Sequence, residues 1–266
     1  MRLTPFLITA AFMLFTAASA LHAAIKTETI SYTSGGKTYK GTLAYDDAAG
    51  TAKRPGVLVC HEWWGVNDFA RERAARLAEA GYVAFALDMY GDGKNTTDPK
   101  EAGKMAGALT SDTPNLRAIA AAGLKVLAER PEVNAEKLGA IGFCMGGTVA
   151  LELARSGADL DAVVTFHAST LTAKTPADNA AIKARILICD GGADPLVQPE
   201  ERPKFYKQMN DANLDWQFIS YGEAQHAFTN KDADKARIDG VKFNARAEKR
   251  SWQAMMTVFD ETLKSK

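Results

Sequence analysis

Cysteine is scarce in this chain, three in 266 residues. So small and odd a number rules out a disulfide-stapled scaffold. The four histidines lie far apart and no C-x-x-C occurs. No zinc-ligand spacing is therefore present. Excess charge is also missing: 32 Lys+Arg balance 32 Asp+Glu. That leaves no electrostatic basis for a nucleic-acid or acidic-surface partner. Beyond the first two dozen residues no apolar run reaches 18 residues, so no membrane span is expected there. The whole chain, 47% hydrophobic and 24% charged, has an ordinary globular composition. The length suits one large α/β domain.

Residues 1–24 read as a cleavable export signal. Arg2 precedes an apolar run from Phe6 to Ala18, and Ala18-Ser19-Ala20 has the small-x-small pattern of a signal-peptidase site. Cleavage after Ala20, Ala23 or Ala24 fits this pattern. The expected product is a single domain over residues 25–266, periplasmic or secreted, with no stable membrane insertion. In an oxidising compartment a free thiol has to be buried, useful or paired.

Along the rest of the chain, short apolar runs alternate with helical patterns. Thr27–Thr33 and Thr38–Ala44 flank Ser34-Gly35-Gly36-Lys37 and predict a hairpin. Gly56–Cys60, Tyr82–Leu87, Leu138–Phe143, Ala162–Phe166, Arg185–Cys189 and Asp215–Tyr221 predict strands. Helices are expected over Phe69–Glu79, Pro99–Leu109, Asn115–Glu129, Met145–Ser156, Pro199–Ala212 and Arg246–Leu263. In the first of these, Ala74, Leu77 and Ala78 share one face, with Arg71, Arg73 and Arg76 near the other. Such alternation means βαβ crossovers and a mostly parallel sheet between helices, with the hairpin as an antiparallel edge. Functional groups then gather at the carboxyl ends of strands. The residues to inspect are His61-Glu62, Asp88, Cys144, His167, Asp190 to Asp194 and the loop after Tyr221.

One of these stretches carries a specific signature. Gly142-Phe143-Cys144-Met145-Gly146-Gly147 joins a strand to a helix and has the G-x-Nu-x-G form of a nucleophile elbow. The nucleophile must project from a tight turn, so residues two away on either side must let backbone pass close by. A helix N-terminus also favours a thiolate and an oxyanion. The stretch does not spell the phosphate-binding G-x-G-x-x-G. Asp194 follows the Arg185–Cys189 strand and His226 follows Tyr221. Nucleophile, acid, histidine is the chain order of α/β-hydrolases. His226 would move the thiol proton, and Asp194 would fix its tautomer. Asp190 competes for the acid role but is better suited to capping the Gly191-Gly192 turn. His61-Glu62 does not extend to H-E-x-x-H, because position 65 is Gly65. Trp63 and Trp64 either wall an apolar pocket or simply pack. Cys60 and Cys189 end different strands and are expected to pack as small hydrophobes, with a disulfide between them left open.

The chain resembles the dienelactone hydrolase family of α/β-hydrolases. The likeness is carried by residues 61–67 (His-Glu-Trp-Trp-Gly-Val-Asn), 81–90, the cysteine elbow at 142–147, 190–197 (Asp-Gly-Gly-Ala-Asp-Pro-Leu-Val) and 226–228 (His-Ala-Phe). The resemblance implies a Cys144–His226–Asp194 triad, with Glu62 helping to convert the resting thiol to thiolate. It also implies oxyanion donors at the N–H groups of Met145 and Trp63, a small ester or lactone substrate, and no metal or organic cofactor. Trp64 and Phe228 are expected to touch the substrate. One departure is plain. Members that act on dienelactone hold the substrate carboxylate with an arginine four residues after the histidine, and that position is Asn230 here. Two other readings stay open on residues alone: a thioesterase or acyl-transfer enzyme with the same triad, and a non-catalytic thiol-based sensor or binder. Oligomeric state is not legible.

Overall fold

The computed structural model describes residues 25–264, and the expected export signal lies outside the described residues. Eight strands form one sheet: β1 (Ile25–Ser34), β2 (Lys37–Asp46), β3 (Arg54–Cys60), β4 (Val83–Leu87), β5 (Val133–Phe143), β6 (Ala162–Phe166), β7 (Arg185–Gly191) and β8 (Trp216–Tyr221). Their spatial order is β1-β2-β4-β3-β5-β6-β7-β8. The first hairpin closes over Gly35 and Gly36, both at positive φ, as a two-residue turn requires. β1 and β2 pair antiparallel, as do β2 and β4. Every pairing from β4 to β8 is parallel. This is the α/β-hydrolase arrangement with the antiparallel edge that the hairpin pattern predicts.

Among the described residues six α-helices cover the sheet: α1 (Asp68–Glu79), α2 (Pro99–Ser111), α3 (Thr113–Ala128), α4 (Met145–Arg155), α5 (Glu201–Asp211) and α6 (Ala245–Thr262). Strand side chains alternate between the two faces. Leu58 and Cys60 join a core with residues of α2, α3, α4 and α5. Val57 and Val59 join a second core with α1 and α6. An unbroken apolar run is thus what a strand buried on both faces needs. Helix starts are fixed by side-chain caps: Asn67 accepts from Ala70 N–H, Asp98 from Lys100 N–H and Asp112 from Asn115 N–H. No helix among the described residues is long and apolar enough to cross a membrane.

Two expectations need correction. β5 starts at Val133, not Leu138, because Val133 and Asn134 pair with Arg54 and Pro55 before a register irregularity. The polar stretch Asn134–Lys137 hides that start. Arg73, placed by periodicity towards the polar face of α1, is fully buried. Its guanidinium stacks 4.8 Å from the Phe69 ring centroid, donates to Glu248 Oε1 (2.8 Å) and donates to the Thr229 carbonyl (2.7 Å). Cys60 and Cys189 are free and fully buried. Cys60 ends β3 and Cys189 lies within β7, three strand spacings or ~14 Å apart, which excludes a disulfide. Burial pushes both thiols up to about 12.

Candidate active site

The carboxyl ends of β5, β7 and β8 converge, and the loops that leave them carry the residues singled out above. Cys144 sits between β5 and α4 with φ 54° and ψ −121°. A non-glycine residue in that region is strained, and such strain persists only where the surroundings impose it. They do so here by close backbone approach. A methyl group at Gly146 would collide with the carbonyl oxygens of Cys60 and His61, and one at Gly142 with the Gly146 carbonyl. The turn leaves Cys144 at the first turn of α4, where the helix dipole favours negative charge.

His226 and Asp194 reach the same place from two other loops. His226 Nδ1 and Asp194 Oδ2 are 2.7 Å apart, and both residues are about 5% exposed. The second Asp194 oxygen accepts from Leu196 N–H at 2.8 Å, which locks the carboxylate. The His226 backbone is held on both sides: its N–H donates to the Gly240 carbonyl and its carbonyl accepts from Lys242 N–H. Burial alone would lower the His226 pKa. The charge of Cys144, together with hydrogen bonds to Asp194 and Cys144, outweighs it and holds the imidazole well above its ordinary value.

Glu62 lies in the loop after β3 and is 2% exposed. Its Oε2 accepts from Asn230 Nδ2 at 2.7 Å. Burial raises its carboxyl to about 7, against the hydrogen bond from Asn230 and the positive fields of His226 and Arg73. Tyr90, in the loop after β4, donates from Oη to the Trp63 carbonyl at 2.8 Å and lies 3.3 Å from Met145 Sδ. Neither the Trp63 nor the Met145 N–H finds an acceptor among the described residues. A cavity of about 710 Å³ opens over these groups. Cys144, His226, Glu62, Trp63, Trp64 and Met145 all line it. The two indoles lie 4.8 Å apart and form its apolar wall.

The chain matches the dienelactone hydrolase family over residues 40–263. It belongs to that family. A solved structure, m3DLH, is 45% identical, covering 90% of this chain and 99% of its own, with a TM-score of 0.87. A dienelactone hydrolase-like promiscuous phosphotriesterase from metagenomic libraries is 38% identical over the same shares, with a TM-score of 0.86. Protein usf of Aquifex pyrophilus is 32% identical over 79% of this chain and 89% of its own length.

In this member of the dienelactone hydrolase family the structure brings Cys144, Asp194, His226, Glu62, Met145, Trp63 and Trp64 together. It does not bring Phe228. That ring is fully buried against His167 and Tyr221 and does not line the cavity. Ala227, at φ 56°, turns the chain so that Phe228 packs beneath the site. Asp190 does not cap the Gly191-Gly192 turn. It pairs with Arg202 Nε (2.9 Å) and accepts from Ser220 Oγ (3.3 Å). Asp88 is a loop organiser, accepting from the N–H groups of Lys40, Tyr90, Gly91 and Gly93. His61 is buried behind the loop, where Nδ1 meets the Glu62 carbonyl and Nε2 accepts from Met89 N–H. Two residues at the site escaped any functional assignment from sequence, His167 and Ser169. Only the strand-end position of His167 pointed to it.

Proposed function

We propose that this dienelactone hydrolase family member cleaves an uncharged carboxylic ester or lactone through Cys144. One observation carries the reading. Cys144, strained at a helix N-terminus, shares a cavity with His226, whose other nitrogen is held 2.7 Å from Asp194. The Cys144 thiolate adds to the substrate carbonyl carbon, forming a C–S bond. The N–H groups of Trp63 and Met145 receive the oxyanion. As the tetrahedral species collapses, the C–O bond breaks and His226 gives its proton to the leaving alcohol. Water, losing a proton to His226, then adds to the thioester carbonyl. The C–S bond breaks, and thiolate, imidazolium and carboxylic acid product remain. Glu62, whose carboxyl lies near 7, is suited to take the thiol proton before the first addition.

The charges lining the cavity support an uncharged substrate. Arg71 is bound to Asp68 at 2.7 Å and to the Val66 carbonyl, and Lys235 is bound to Asp232 at 2.7 Å. No cation is left over for a substrate carboxylate among the described lining residues, and Asn230 is neutral. Replacing Cys144→Ala is expected to lower turnover of p-nitrophenyl butyrate by at least ~1,000-fold. Turnover near wild type in a folded C144A protein overturns the reading. We read residues 1–24 as the export signal, on Arg2, the Phe6–Ala18 run and the small residues that follow. N-terminal sequencing of protein from a periplasmic extract tests it, and a retained Met1 counts against it.

A further inference from the structure

A four-residue segment at the end of β6 grips Cys144 at every polar atom. The Cys144 N–H points to both the Phe166 carbonyl (3.1 Å) and His167 Nδ1 (3.1 Å). The Cys144 carbonyl accepts from Ser169 N–H (3.1 Å), and Cys144 Sγ lies 3.4 Å from Ser169 Oγ. His167 is the unusual member. It is fully buried, and its backbone is left-handed at φ 41°. A backbone N–H can only donate, so His167 Nδ1 carries no proton and its hydrogen sits on Nε2. That Nε2–H donates to Thr229 Oγ1 at 2.8 Å. Thr229 lies three residues after His226, and its carbonyl is pinned by Arg73. The two histidine rings meet edge to face at 5.2 Å, with Phe228 on another side of His167 at 5.3 Å. Burial, and then the positive fields of His226 and Arg73, hold His167 neutral.

We infer that His167 is a positioning residue: a neutral imidazole that holds the Cys144 backbone from one nitrogen and the His226-bearing loop from the other. It thereby sets the separation between sulfur and base. The inference rests on Cys144 being the nucleophile. Its test uses a readout that needs no substrate, the rate of Cys144 alkylation by iodoacetamide across pH, together with ester hydrolysis. His167→Leu removes both contacts at similar bulk. Its kcat is expected to fall roughly 10- to 100-fold with little change in KM, since misplacement of about 1 Å carries that cost. The midpoint of its alkylation profile is expected to move up. His167→Asn places an amide oxygen near the Nδ1 position, so it should recover most of the kcat and the wild-type midpoint. Thr229→Val frees Nε2 and is expected to move the midpoint in the same direction as His167→Leu, by less.

A folded His167→Leu protein with unchanged kcat and midpoint overturns the proposal. So does His167→Asn as impaired as His167→Leu, which would mean that ring packing alone matters. If His167→Leu fails to fold, an unchanged midpoint and kcat in Thr229→Val overturns it. A wild-type protein that hydrolyses no ester refutes the hydrolase reading while leaving the alkylation comparison intact.

Discussion

A carboxyl group buried to 2% exposure, in the same cavity as a thiol, is held there at a cost, and the cost depends on pH. Glu62 titrates near 7 in the fold and near 4.5 in an unfolded chain. Between those values the folded protein binds the extra proton, so stability falls as pH rises through that window and stays low above it. Glu62→Gln keeps the shape and can still accept from Asn230. The variant is expected to match wild type below pH 4.5 and to exceed it at pH 8, by up to about 3 kcal/mol. Thermal melts at the two pH values check this, and equal melting temperatures at pH 8 would remove Glu62 from the ionised, buried state. At this scale the sequence was informative where chemistry follows an apolar run directly. Cys144, Asp194 and His226 each leave a strand end, so position and chain order pointed to them. Arg73 and Phe228 were misplaced for different reasons. Periodicity assigns a charge outward, although a guanidinium can find a carbonyl, a carboxylate and a ring inside the fold. The likeness at 226–228 carried no information about which way the Phe228 ring turns once Ala227 takes a positive φ.

The central strands β3, β4, β6 and β7 were legible because both faces are buried, which makes each an apolar run. The helix starts were legible to within two residues from helical spacing. What stayed hidden was how elements distant in sequence are tied together. Arg73 on α1 joins Glu248 on α6 to the Thr229 carbonyl in the His226 loop. Arg76 also reaches Glu248, but from a position where its side chain is 34% exposed. The two arginines therefore separate a buried tie from a surface one. Arg73→Met strands the Thr229 carbonyl in a dry environment and is expected to cost about 2–4 kcal/mol. Arg76→Met should cost less than about 1 kcal/mol. Urea titrations of both variants decide the point. Equal losses would mean that the His226 loop is not held through α1.

Across the whole molecule, parallel strands deliver their carboxyl ends to one edge, and the loops there enclose a cavity whose charges are matched in pairs. Arg71 answers Asp68, and Lys235 answers Asp232. The unmatched charge belongs to the groups proposed to carry the reaction. His226 is balanced by Asp194, and whichever of Cys144 and Glu62 has lost a proton adds a negative charge. An anionic substrate would bring its charge to within roughly 7 Å of that group. At an effective dielectric of about 20 the repulsion is about 2 kcal/mol, or roughly 30-fold in kcat/KM. The protein is therefore expected to prefer p-nitrophenyl butyrate over the half-ester p-nitrophenyl hydrogen succinate by about that factor at low salt. Because the mouth of the cavity is open to water, added salt should narrow the gap. Lowering the pH below 7 should narrow it as well, since Glu62 then carries its proton. Equal kcat/KM for the two esters, or faster cleavage of the succinate, would mean that a cation reaches the substrate after all. Lys235, tied only at the exposed rim, would be the first candidate, and Lys235→Met would then be expected to restore the preference.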